Sequence, residues 1–159
     1  MKSVKIILFI GLITLLSIAN LQAQDSISAR EKHFNVSGNL AIKGYDPVAY
    51  FTENKGIKGN KQYSYEYKGI LYRFVSVANM EQFKKEPSKY EPVYGGWCAY
   101  AVGFNGEKVG VNPNTFKIIN GKLYLFYNKF GTNTLTMWNE DEKNLKLKAD
   151  KVWGGIIKE

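Results

Sequence analysis

Apolar and polar positions along this chain change rhythm several times. Near the start, Ile6 to Ile18 is an apolar run broken only by Gly11, Thr14 and Ser17. Further on, Tyr63, Tyr65 and Tyr67 alternate with Ser64 and Glu66, the period-two pattern of a strand with one side on a core. Lys68-Gly69 then turns the chain and Leu71 to Val75 supplies a second strand, so the two runs predict a hairpin. Phe116 to Ile119 and Lys122 to Phe126 flank Asn120-Gly121, a pair suited to a two-residue turn with positive φ at both positions. A second hairpin follows.

Elsewhere the period is helical. Ser76 caps a segment in which Val77, Met80, Phe83 and Lys84 recur at spacings of three or four until Pro87 stops it. Its apolar side is expected to lie on the first hairpin. Leu135, Trp138, Leu145, Ala149 and Val152 form a stripe that one long helix or two consecutive helices would satisfy, ending at Gly154-Gly155. Asp46-Pro47 predicts a helix start, with Asp as cap and Pro in the first turn. Glu53 to Lys61 reads as a loop, and Tyr94 to Val102, opened by Gly95-Gly96, as the beginning of a short helix.

Together these elements predict an α+β fold: a small single domain over residues 41–159, with two β-hairpins packed with short helices and a C-terminal helix. The chain shows no internal repeat, low-complexity tract or splitting linker. Residues 24–40 mix charges and small polar side chains without period and read as a flexible N-terminal arm, which holds His33, the only histidine.

The apolar run follows Lys2 and Lys5 and is shorter than the ~20 residues that span a bilayer. With small residues before Asn20 and Gln24, it reads as a signal peptide removed by residue 23, against the alternative of an uncleaved anchor. The expected destination is periplasmic or extracellular. No cysteine stands near either cleavage point to carry a lipid. Loss of Lys2 and Lys5 takes the 22 basic residues to 20 against 14 acidic ones, a net charge of about +6. For an exported protein such a balance favours an anionic envelope surface over nucleic acid as a partner, unless the lysines serve only solubility.

Three pieces, in order, carry a resemblance. They are Tyr45-Asp46-Pro47-Val48-Ala49-Tyr50-Phe51, then Tyr67 to Ser76 (YKGILYRFVS), then Phe83 with Pro87 and Tyr90. They resemble the YHS domain family, and the Tyr94 to Tyr100 and Asn120 to Asn128 segments are similar to an exported branch of it. The resemblance implies a YHS-like fold. In metal-binding members it also implies cysteines after the Asp-Pro-Val element, in the Phe-Cys-Ser element and a few residues into the helix. Ala49, Val75 and Asn79 stand at those places here. Neither Ala nor Val coordinates metal, and Asn is a poor ligand for metals that thiolates select, so the family's metal site is not expected.

Cys98 is the single cysteine, which excludes a disulfide within the chain. Placed after Gly-Gly at a helix start, it is a candidate ligand for copper, zinc or haem iron and a candidate redox-sensing or partner-pairing thiol. The competing reading is a small buried hydrophobe. Met80, Met137 and His33 are the other soft or borderline ligands, and they show no ligand spacing. Tyr45, Tyr50, Tyr94, Trp97 and Tyr100 lie in glycine-rich segments and, with Cys98, form a candidate binding set for a small flat or apolar ligand, unless they are core. No nucleophile stands with a base and an orienting partner, because His33 is alone. The sequence therefore favours a non-enzymatic extracytoplasmic binding module for a small ligand, haem or soft metal ion. A thiol protein acting through Cys98 and an interaction protein for anionic envelope components stand as alternatives.

Overall fold

The computed structural model describes residues 29–157. The expected signal peptide, and residues 24–28 of the expected arm, lie outside the described residues.

The fold is mixed α and β. Residues 29–33 are helical (α1) and lead into a small hairpin of β1 (Val36–Ser37) and β2 (Leu40–Ala41). A one-turn 3-10 helix, Ile42–Gly44, and α2 (Ala49–Thr52) follow. The first long hairpin is β3 (Asn60–Tyr67) with β4 (Ile70–Phe74), and β2 joins it in parallel, giving the order β1-β2-β4-β3. β4 shows the alternation expected of it: Ile70, Tyr72 and Phe74 face inward. Val75 falls just outside the strand because its backbone N–H is taken by a side chain rather than by the ladder.

Ser76 caps α3 (Val77–Lys85) as expected, accepting from the Asn79 amide at 3.2 Å. Phe83 drives that helix onto the hairpin, 4.7 Å from the Tyr72 ring and 5.3 Å from that of Phe74. Val77, placed on the apolar side by its spacing, is half exposed at the helix start. After α4 (Pro87–Tyr90), a second 3-10 turn, Val93–Gly96, leads through Trp97 and Cys98 into α5 (Ala99–Phe104), the short helix foreseen there.

The second hairpin pairs β5 (Asn112–Ile119) with β6 (Lys122–Phe126) across Asn120-Gly121, with φ of 50° and 70° at the two turn residues. β6 does not alternate, because it is walled on both sides. Leu123 and Leu125 join the core under the first hairpin, whereas Tyr124 and Phe126 join a second core around Trp138. The two hairpins thus share one interior although they belong to separate sheets.

A two-rung ribbon, β7 (Asn128–Lys129) and β8 (Thr132–Asn133), precedes α6 (Thr134–Glu140) and α7 (Glu142–Ile156). The apolar stripe is therefore split between two helices, broken at Asp141. α7 runs through Gly154-Gly155, which the sequence suggested as its end. At Gly103 a Cβ would meet the Leu145 carbonyl oxygen at 2.4 Å, so only glycine lets α5 lie this close to α7.

The expected arm is structured from residue 29 onward. Arg30 pairs with Glu91 and lies 4.4 Å over the Phe34 ring, and His33 is buried. Polar sequence without period hid this because the anchoring is by single side chains and not by an apolar face.

Candidate functional site

The Asp46 carboxylate is wholly buried and sits where α2, the end of β4 and the start of α3 meet. One oxygen accepts from the Val48 and Ala49 amides at 2.8 and 3.3 Å. The other accepts from the Val75 amide at 2.8 Å and the Asn79 side-chain amide at 2.7 Å. Asp46 therefore does cap a turn, as its place before Pro47 suggested, and it also ties that turn to a strand end and a second helix. Four donors fill the acceptor sites of both oxygens.

The six candidate binding residues do not form one site. Tyr50 is core, its hydroxyl donating to the Pro113 carbonyl at 2.8 Å, and burial, reinforced by Tyr45 and Asp46, raises its pKa. Tyr45 is half buried under the Lys58 ammonium, 5.2 Å from its ring centroid. Trp97 donates its indole N–H to the His33 carbonyl at 2.7 Å, and Asn35 binds the Gly95 and Gly96 carbonyls. The Gly-Gly-Trp element that stood out in the sequence thus holds the segment arriving from α1.

Cys98 is fully buried at the cap of α5. Its sulfur lies 3.3 Å from the Thr134 hydroxyl and accepts from the Tyr127 amide at 3.4 Å. Thr134 gives its own proton to the Tyr127 carbonyl at 2.9 Å, so the thiol is the donor toward Thr134. A closed ring of hydrogen bonds results, joining α5, α6 and the end of β6. Cys98 forms the floor of an apolar cleft of 180 Å³ bordered by Tyr100, Phe104 and Tyr127. Tyr100 and the exposed Phe104 stack there at 5.3 Å.

A second cleft is one that sequence reasoning missed. It has a volume of 290 Å³ and lies against Tyr94, with Trp153, Pro92 and Phe34 as apolar walls and Lys122 and Asp150 among its polar groups. The Tyr94 hydroxyl donates to Asp150 at 2.8 Å, and Lys146 holds the other carboxylate oxygen at 2.6 Å. Burial first, then the bond to Asp150 and its charge, raises the Tyr94 pKa. Tyr94 and Gly95 both have left-handed backbone, φ 54° and 58°, and a Cβ on Gly95 would touch Trp153 at 2.8 Å. Of the three consecutive positive-φ residues from 94 to 96 only Tyr94 is not glycine, and its strain is the local signal, since such strain concentrates at functional positions. Trp153 comes from α7, almost sixty residues away, and nothing local in the sequence announces the pairing.

A small α+β domain whose N-terminal half is organised around one buried aspartate is the class that these features define. The YHS domain family model matches residues 48–94, so the resemblance carried by the sequence holds for that segment. No curated protein matches the chain, and no solved structure does.

The places where the resemblance implies cysteines, Ala49, Val75 and Asn79, each donate a hydrogen bond to Asp46. These residues do not fit a metal ion. They offer no thiolate, and the one carboxylate among them has no acceptor site left. Met80 packs against the first core and Met137 is exposed on α6, so the soft ligands are not gathered around Cys98 either. Among the described residues no three His, Cys, Asp or Glu side chains are grouped to hold an ion.

Proposed function

We propose that this protein is a non-enzymatic binding domain on a YHS scaffold, acting outside the cytoplasm, and that it takes a small organic ligand beside Tyr94 and Trp153. The observation that carries this reading is the 290 Å³ cleft itself, with apolar walls and a few convergent polar groups. Its volume stands just below the ~300–1,000 Å³ typical of ligand pockets, which suits a small molecule. A flat molecule with a polar edge suits it: the ring would lie on Trp153 and Pro92, and Lys122 and the Tyr94–Asp150 pair would meet the edge. Cys98 supports the reading from below, as part of the frame and not as the ligand's partner.

The test is native mass spectrometry of the mature protein purified from its own compartment, beside Trp153→Ala, Lys122→Glu and Cys98→Ala variants checked for folding by circular dichroism. A copurifying molecule lost with the Trp153 and Lys122 changes but kept by Cys98→Ala supports the assignment. Loss with Cys98→Ala alone moves the site to the smaller cleft, and retention in every variant contradicts both.

A further inference from the structure

The Ile42–Gly44 turn lies at the centre of a basic patch. Lys43 donates its ammonium to the Val111 carbonyl at 2.7 Å, and Lys58 donates to the Lys43 carbonyl at 2.7 Å. Asn112, next to Val111, donates its side-chain amide to the Asn128 carbonyl at 3.3 Å, which brings β7 and therefore Lys129 to the same side. Lys43, Lys58 and Lys129 are exposed, and none has an ion-pair partner among the described residues. Burial and then the charges of Lys129 and Lys58 lower the Lys43 pKa, so an arriving anion would relieve their mutual repulsion.

Phe130 follows Lys129 at the tip of the β7–β8 ribbon and is 95% exposed. Its φ is 52°, a left-handed conformation that favours small residues such as Asn or Gly. Neither the turn nor the core uses the ring. A phenyl ring held out in water beside three ammonium groups that have no carboxylate partner among the described residues has the chemistry of a peripheral bilayer contact. The cations meet lipid phosphates while the ring enters the headgroup boundary. A soluble polyanion would use the cations and leave the ring idle.

We propose that Lys43, Lys58, Lys129 and Phe130 form a docking surface for an anionic phospholipid bilayer, with Phe130 as the inserted element. This surface is independent of the cleft beside Trp153, so either can fail without the other.

The experiment is flotation of the mature chain with vesicles of equal parts phosphatidylcholine and phosphatidylglycerol, or of phosphatidylcholine alone. Binding is expected only to the anionic vesicles and is expected to fall away at high salt. Each of Lys43→Gln, Lys58→Gln and Lys129→Gln weakens it about fivefold at low salt. Phe130→Ser weakens it about tenfold or more, and because Phe130 touches no core, its melting temperature stays that of the parent. No binding to anionic vesicles overturns the proposal, and so does equal binding to both kinds. Unchanged vesicle binding by Phe130→Ser, together with parent-like retention on heparin, would also overturn it and assign the patch to a soluble polyanion.

Discussion

The Asn79 side-chain amide donates to the fully buried Asp46 carboxylate at 2.7 Å, joining the first turn of α3 to the turn before α2. Position 79 is one of three at which the family resemblance implies cysteine. Removing the carboxylate by Asp46→Ala leaves the Val48, Ala49 and Val75 amides without their acceptor and is predicted to destabilise the domain by about 3 kcal/mol or more. Asn79→Ala removes one charge-assisted bond and is predicted to cost about 1.5–3 kcal/mol. Urea unfolding of both variants checks the order: equal effects, or small ones, would show that the junction does not depend on this carboxylate.

Gly95→Ala places a methyl group 2.8 Å from Trp153 and 2.9 Å from Phe34, on a backbone that L-residues disfavour. A loss of about 2 kcal/mol is predicted, combining left-handed strain with overpacking. The change also displaces the wall of the cleft beside Trp153, so a shifted Trp153 fluorescence spectrum should accompany it. A Gly95→Ala variant as stable as the parent would mean that the 93–96 turn is not held in this conformation.

Cys98 is enclosed by Thr134 and Tyr127, and its reaction with a thiol reagent is predicted to follow global unfolding as denaturant is raised. Cys98→Ser keeps the hydrogen-bonding ring, whereas Cys98→Val breaks it, leaving the Tyr127 amide without its acceptor and the Thr134 oxygen without its donor. The serine variant is predicted to be the more stable of the two by about 1 kcal/mol. Fast labelling under native conditions would instead favour a redox role for this thiol.

Alkaline pH tests the buried tyrosines. Burial, with smaller contributions from neighbouring carboxylates, raises the pKa values of Tyr50, Tyr72 and Tyr94 above the ordinary 10.0. In the unfolded chain these hydroxyls ionise near pH 10, so above that point the unfolded state holds fewer protons than the folded one. Their contribution is complete below about pH 10 and is predicted to be lost as pH rises further. Tyr94→Phe, which has no proton to lose there, is predicted to flatten the fall in urea midpoint between about pH 9 and about pH 11.

Much of the fold was legible in the sequence because it rests on local signals. The Asn120-Gly121 turn, the Ser76 cap and the inward spacing of Ile70, Tyr72 and Phe74 each follow from a few adjacent residues. The segment over residues 29–40 was not, since Arg30, His33 and Asn35 anchor it through single contacts to Glu91, Trp97 and the Gly95 and Gly96 carbonyls. β6 was foreseen as a strand of the second hairpin, but its burial on both sides was not, since such a strand looks like any short apolar run. The candidate site was legible only in part. Tyr94 to Tyr100 was visible as an unusual segment, but Tyr94 faces Trp153 while Cys98 and Tyr100 border a separate, smaller cleft. That division arises from tertiary packing on α7 and has no sequence period.

Elemental analysis of the mature protein taken from its native compartment, with Asp46→Asn and Cys98→Ala variants beside it, tests most directly whether the Asp46 junction is closed to the metal that the YHS resemblance implies. The closed Asp46 junction predicts no copper, zinc or iron in stoichiometric amount in any of the three. One metal ion per chain in the parent, lost on changing either Asp46 or Cys98, would contradict that account.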